Sequence, residues 1–176
     1  MNNDMNKHKI NAWYDEYSND IHQYISYMIN DHFHALDLTQ DTFFRAYLNI
    51  TSFHGEKPKA WLYCIARNLT IDYIRKENSK KLIIKKLIPN KITLRTPEQI
   101  ATLNESEHEL YVSLQKLKRN YRDVIILRKI QELSIEEAAS ILGWSKSKVK
   151  TNLQRGLQSL KKQMEEGGYL HETSGT

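Results

Sequence analysis

Two short amphipathic segments meet at Gly143 in the stretch LSIEEAASILGWSKSKVKTNL, Leu133 to Leu153. That junction constrains the fold more than any other feature of the chain. Ile135, Ala138, Ala139 and Leu142 give the first segment a narrow apolar face, and its alanines let another helix approach closely. Gly143 can take the left-handed backbone that ends a helix. Ser145 can cap the next one. Val149, Leu153 and Leu157 then recur one turn apart, a stripe that faces inward. This is the spacing of a helix-turn-helix.

The outward face of the second helix carries Lys146, Ser147, Lys148, Lys150, Thr151, Gln154 and Arg155. A helix of that composition fits a DNA major groove, where Lys and Arg can read guanine edges and Gln can read adenine. Its N-terminal amides and dipole favour phosphate. Lys150 and Gln154, one turn apart, are placed for bases, and Lys146, Lys148 and Arg155 for phosphates. A lysine run alone is most often a solvated face; the capped two-helix unit and glycine turn move the reading to DNA. Trp144 reads as a partly buried lid on the turn rather than a residue that stacks on DNA.

The remainder reads as nearly all helix, because Gly (6) and Pro (3) are scarce and alternating β-branched runs are few. A first helix is expected over Ala12–Asn30, with Trp13, Tyr17, Ile21, Tyr24, Ile25 and Met28 on one stripe. A second is expected over Leu36–Asn49, with Leu36, Phe43, Phe44 and Tyr47 as core contacts. Gly55 and Pro58 punctuate the loop before a third, KAWLYCIARNLTIDYIRKE, on which Trp61, Ile65 and Leu69 fall four apart. Asn78 to Arg95 reads as a basic linker with transient helix, or alternatively as an ordered helix up to Pro89. Beyond it, TPEQ (Thr96–Gln99), NESE (Asn104–Glu107), NYRD (Asn120–Asp123) and SIEE (Ser134–Glu137) share a cap-plus-acid or cap-plus-amide spacing. Such caps stabilise helix starts by about 0.5–2 kcal/mol. Helices follow over Glu105–Leu117, Tyr121–Ile130 and Ile135–Leu142, and from Ser145 toward Met164.

The expected fold is all-α: two small helical domains, 1–77 and 104–165, joined by a basic linker, 78–103. Charge follows this division. Residues 1–56 carry 3 basic and 8 acidic groups, and residues 57–91 carry 10 basic and 2 acidic. The asymmetry would orient the chain in a phosphate field. A single cysteine, Cys64, excludes an intrachain disulfide and fits a reducing cytosol. The first twenty residues lack the apolar run of a signal peptide, and no stretch approaches a membrane span.

Three segments in order carry a family resemblance over about Trp13 to Lys162: ALDLTQDTFFRAYLNI (Ala35–Ile50), AWLYCIARNLTIDYIRK (Ala60–Lys76) and LKRNYRDVIILRKIQELSIEEAASILGWSKSKVKTNLQRGLQSLK (Leu117–Lys161). Together they resemble the bacterial RNA polymerase sigma factors of the extracytoplasmic-function family. The resemblance implies that the first domain, region two, binds core polymerase through Asp37, Leu38, Gln40, Asp41, Phe44 and Arg45. Their chemistry agrees, with a charged rim around an aromatic contact. Asp41 and Arg45 also suit a surface pair worth about 0.3–0.5 kcal/mol, and Phe43 suits the core.

The resemblance further implies that the third helix and its preceding loop open the minus-10 element. Aromatic and amide groups can hold a flipped base while basic groups hold the backbone. Candidates are Phe53, His54, Lys57 and Lys59 in the loop and Arg67, Asn68, Arg75 and Lys76 on the helix. Asn68 suits a base contact or a bond to loop backbone; Trp61 suits the core, and Asp72 a partner for Arg75 or Lys76. Region four would read duplex minus-35 DNA through the helix after Ser145. The linker would thread toward the RNA exit path, and an anti-sigma factor would hold the free protein. No cofactor or metal is implied. The sequence departs from the family's pattern where LKRNYRD replaces a Leu-Pro start, so that Asn120 could cap, and where Trp144 replaces a smaller turn residue.

Other classes explain less. An enzyme lacks a nucleophilic constellation, since Cys64 lies within an apolar helix and the two histidines of HFH (His32–His34) lack further metal ligands. A conventional DNA-binding regulator, or a sigma-like interaction protein, accounts for Leu133–Arg155 or for the helices but not for all three segments.

Overall fold

The computed structural model describes residues 2–89 and 104–168. The chain divides into two compact units, Met1–Ala101 and Thr102–Thr176. All regular elements among the described residues are helical, as the all-α reading requires.

The first unit is a three-helix bundle of α1 (Asn2–Ile29), α2 (His32–Leu48) and α3 (Pro58–Leu87), with a 3₁₀ turn at Ile50–Ser52. The expected stripe on α1 holds: Trp13, Ile21, Tyr24, Ile25 and Met28 are buried and Tyr17 is half-buried. α1 starts ten residues earlier than expected. Ile10 extends the buried stripe, and the Tyr47 hydroxyl donates to Asn3 Oδ1, tying the first turn to α2. Asn30 takes the left-handed conformation (φ 57) that turns the chain. Asp31 then caps α2, accepting from the His34 amide at 3.0 Å.

The core face of α2 differs from the one expected. Ala35, Leu38, Thr39, Thr42, Phe43 and Ala46 point inward, whereas Leu36 and Phe44 are exposed. The two buried threonines each satisfy their hydroxyl on the carbonyl four residues back, at 2.7 Å. Pro58 sits in the first turn of α3, as expected. α3 runs ten residues past the boundary at residue 77. NSKKLIIKKL contains no glycine or proline, its leucines and lysines favour helix, and the helix stops just before Pro89. The rest of the expected linker, including TPEQ, lies outside the described residues.

The second unit contains α4 (Glu105–Gln115), α5 (Arg119–Ile125), α6 (Ile135–Leu142) and α7 (Lys146–Glu166). Two expected capping boxes form, Asn104 with Glu107 and Ser134 with Glu137. Asn120 does not cap. α5 begins at Arg119, two residues ahead of the place NYRD marks, because the Lys118 carbonyl accepts the amides of both Tyr121 and Arg122. The Arg122 guanidinium folds back on the carbonyls of Gln115 and Leu117 at the end of α4. The expected straight helix to Ile130 changes pitch: Ile126–Ile130 is a π turn, closed by the Gln131 amide on the Ile126 carbonyl at 2.8 Å.

Candidate nucleic-acid interfaces

The helix-turn-helix is built from local chemistry. Gly143 has φ 65, and the Trp144 amide donates to the Ala139 carbonyl at 3.0 Å, so α6 ends in a left-handed cap. Ser145 Oγ accepts the Lys148 amide at 3.1 Å and starts α7. Val149, Gly156 and Leu160 are buried, with Leu153 and Leu157 half-buried. The inward stripe thus follows a four-three-four spacing rather than fours alone, and Gly156 replaces Leu157 at its centre. All seven predicted contact residues on α7 (Lys146, Ser147, Lys148, Lys150, Thr151, Gln154 and Arg155) are exposed.

Two of those lysines are held in place. Lys146 Nζ lies 3.0 Å from Glu136 Oε1, across the turn. Glu136's own backbone amide, and then the Lys146 ammonium, hold its carboxyl below the usual carboxylate range. Lys148 Nζ lies 4.8 Å from the centre of the Trp144 ring. Trp144 is half-buried, which fits the lid expected of it.

In the first unit, Phe53 stands at the centre of an aromatic cluster. Its ring centroid is 5.1 Å from Trp13 and 5.1 Å from Trp61, and Lys9 Nζ lies 5.3 Å from its ring. Trp61 is half-buried, not fully inside, and Lys9 was missed because it precedes every motif. His54 and Lys57 are exposed on the same loop, whereas Lys59 is 3.2 Å from Asp20 on α1. On α3, Asn68, Arg75 and Lys76 are exposed and Arg67 is half-buried. Asp72 lies 4.0 Å from Arg75, the partner expected for it. Burial pushes the Cys64 thiol up, with Arg67 opposing, so the cysteine is held protonated.

A third surface lies on α2. Asp37, Gln40, Asp41, Phe44 and Arg45 are exposed. Leu38 is only 9% exposed and packs mainly into the core. Phe33, at 65% exposure, and Leu48, at 60%, were missed. With Leu36 and Phe44 they form a second apolar stripe, interrupted by Gln40, on the side of α2 opposite its buried face. The signal was in the sequence: residues 33, 36, 40, 44 and 48 repeat at helical spacing. Beside Phe44, the N-terminal half of α1 and α2 enclose an open groove of about 530 Å³ lined by Asp4, Lys7, Tyr14, Phe43 and Tyr47 among others.

These surfaces can be set against known proteins. Residues 13–80 match the Sigma-70 region 2 family, and residues 107–160 match Sigma-70, region 4. The extracytoplasmic-function (ECF) RNA polymerase sigma factor SigX of Bacillus subtilis is 37% identical over 158 residues, covering 86% of this chain and 81% of SigX. The chain belongs to the ECF sigma factors. The ECF sigma factor SigM of the same organism is 35% identical, covering 86% of this chain and 93% of SigM. The fold agrees with two solved structures. RpoE from Bartonella quintana, in complex with the anti-sigma factor NepR, superposes with a TM-score of 0.72 at 24% identity, covering 89% of this chain and 97% of RpoE. CnrH, in complex with the cytosolic domain of CnrY, gives 0.70 at 23%, covering 91% and 90%. As a sigma factor, the protein directs promoter-specific initiation of transcription by RNA polymerase. Region 2 corresponds to α1–α3 and region 4 to α4–α7.

Proposed function

We propose that the second apolar stripe of α2 is the core polymerase contact, with Phe44 as its aromatic anchor and Asp37, Gln40, Asp41 and Arg45 as its polar rim. The supporting observation is that stripe itself. A 17-residue helix with one buried apolar face and a separate exposed one is what a docking element needs, and Phe44 is 60% exposed.

The minus-10 element is taken by the Phe53 loop and α3. The aromatic cluster offers a stacking surface, Asn68 a base-edge partner, and His54, Lys57, Arg67, Arg75 and Lys76 backbone contacts. Lys59 takes part only after exchanging Asp20 for phosphate. α7 enters the major groove of the minus-35 duplex, with Lys150 and Gln154 toward bases and Lys146, Lys148 and Arg155 toward phosphates.

The connection between the two functions starts after the end of α3 at Leu87 rather than at residue 78, and Lys80, Lys81, Lys85 and Lys86 on the last turns of α3 suit an electronegative path through polymerase. The sigma factor RpoE is solved in complex with the anti-sigma factor NepR, and an anti-sigma factor is the partner we assign here. The protein acts in the cytoplasm and performs no chemistry of its own; RNA synthesis belongs to the polymerase. Among the described residues no helix is long and apolar enough to cross a membrane.

Runoff transcription with core polymerase and the purified chain tests this reading. Promoter-specific transcripts that require the added chain are expected. Duplex binding without any polymerase-dependent transcript would point to a conventional regulator.

A further inference from the structure

Lys148 is restrained at three atoms. Its backbone amide donates to Ser145 Oγ at 3.1 Å, its carbonyl accepts from Asn152 Nδ2 at 2.9 Å, and its ammonium lies 4.8 Å from the centre of the Trp144 ring. A free lysine loses rotamer entropy when its ammonium is fixed. A lysine already resting on an indole face has lost part of it before a ligand arrives. Trp144 is itself fixed, because its amide closes the α6 cap and its ring is half-buried. The ammonium therefore lies beside the N-terminus of α7, where the helix amides already favour an anion.

We infer that Trp144 is a positioning residue for promoter DNA: its indole holds the Lys148 ammonium in place to meet a phosphate of the minus-35 duplex. This rests on the reading of α7 as the minus-35 helix. The ring face and the phosphate take opposite sides of one cation, so the contact with Trp144 persists in the complex. Trp144 then strengthens binding to every sequence alike and adds no base discrimination.

The test uses the chain reconstituted with core polymerase on promoter DNA, titrated at several salt concentrations. Lys148→Ala should weaken binding and lower the salt slope by about one unit. Trp144→Leu keeps an apolar lid but removes the π face. It should weaken binding about two- to five-fold with the slope unchanged. Trp144→Phe should restore most of the loss. Trp144→Leu added to Lys148→Ala should cost nothing further. Additive losses, or tighter binding by Trp144→Leu, would overturn the inference, since the indole would then act independently of Lys148 or compete with DNA for it. Failure of the wider reading looks different: Lys148→Ala, Lys150→Ala and Gln154→Ala would all bind as the parent does.

Discussion

Gly156 of α7 lies so close to Tyr121 of α5 that a β-carbon at residue 156 would sit 3.1 Å from the Tyr121 β-carbon and 3.4 Å from its α-carbon. The same β-carbon would lie 3.1 Å from the end of Ile125. Glycine is otherwise a poor choice inside a helix, by about 1 kcal/mol relative to alanine. Here it lets the DNA-facing helix rest directly on the backbone of α5. Gly156→Val should therefore lower the stability of the second unit by about 1–3 kcal/mol through overpacking, read as an earlier denaturant midpoint. An unchanged midpoint would mean that α5 yields easily and the close approach is not a constraint.

His22 should make the first unit sensitive to acid. It is half-buried, its Nε2 lies 3.5 Å from Ser26 Oγ, and its ring is 5.3 Å from that of His32. Burial, and then repulsion from His32, lower its pKa from the ordinary 6.5. The unfolded chain thus binds the proton at a higher pH than the folded chain. Stability attributable to this site is intact above about 6.5 and declines as pH falls through that value toward the lowered one. Urea melts at pH 7.5 and pH 5.5 should show the decline, and His22→Gln should flatten it. An equal decline in His22→Gln would assign the effect to another group.

The parts of this fold that were legible are those decided within four or five residues. Asn104, Ser134, Ser145 and Gly143 announced their caps because each supplies the group that one helix end lacks. Asn120 has the same chemistry but lost to a longer-range choice, the return of Arg122 to the carbonyls of α4. On α2 the sequence carries two apolar stripes, and periodicity cannot say which one meets α1 and α3. Leu36 and Phe44 are expected as core contacts, Phe44 also as a polymerase contact like Leu38, whereas packing buries Leu38 and exposes Leu36 and Phe44. Lys9 and the Asp20 partner of Lys59 reach the candidate site only through tertiary contact, with no local signal to announce them.

The α2 surface predicts a separation of binding from stability. Asp41 and Phe44 are both exposed, so neither should matter to folding. Asp41→Lys should weaken affinity for core polymerase roughly tenfold by reversing a rim charge. Phe44→Ala should cost at least about 2 kcal/mol if the ring is the buried anchor of the interface. Far-ultraviolet dichroism should stay constant in both. Full affinity in both variants would return this stripe to the solvent.

Asn68 is exposed on α3, where its amide is accessible to a base. Asn68→Ala should leave closed-complex binding intact and reduce open-complex formation, losing one hydrogen bond worth about 1–3 kcal/mol when the partner base is left unsatisfied. Helicity should hold or rise slightly, since alanine is the better helix former. Permanganate reactivity of promoter thymines reports the opening. Normal reactivity would exclude Asn68 from contact with the separated strand.

Lys146 and Gln154 should fail in different ways. Lys146 is paired with Glu136 in the free protein and must exchange that carboxylate for a phosphate on binding. Lys146→Ala should then weaken all promoter sequences alike and lower the salt slope by about one unit. Glu136→Gln releases Lys146 and removes a negative charge facing the duplex, so it should tighten binding to all sequences alike. Gln154 projects from the exposed face one turn beyond Lys150. Gln154→Ala should cost about 1–3 kcal/mol at one base position and relax preference there, without changing the salt slope. A promoter library titrated at several salt concentrations separates these outcomes. Uniform loss from Gln154→Ala would make that residue a backbone contact and move base readout to Lys150 and its neighbours. No loss from either alanine variant would mean that α7 presents its charge to water and that another element reads the promoter.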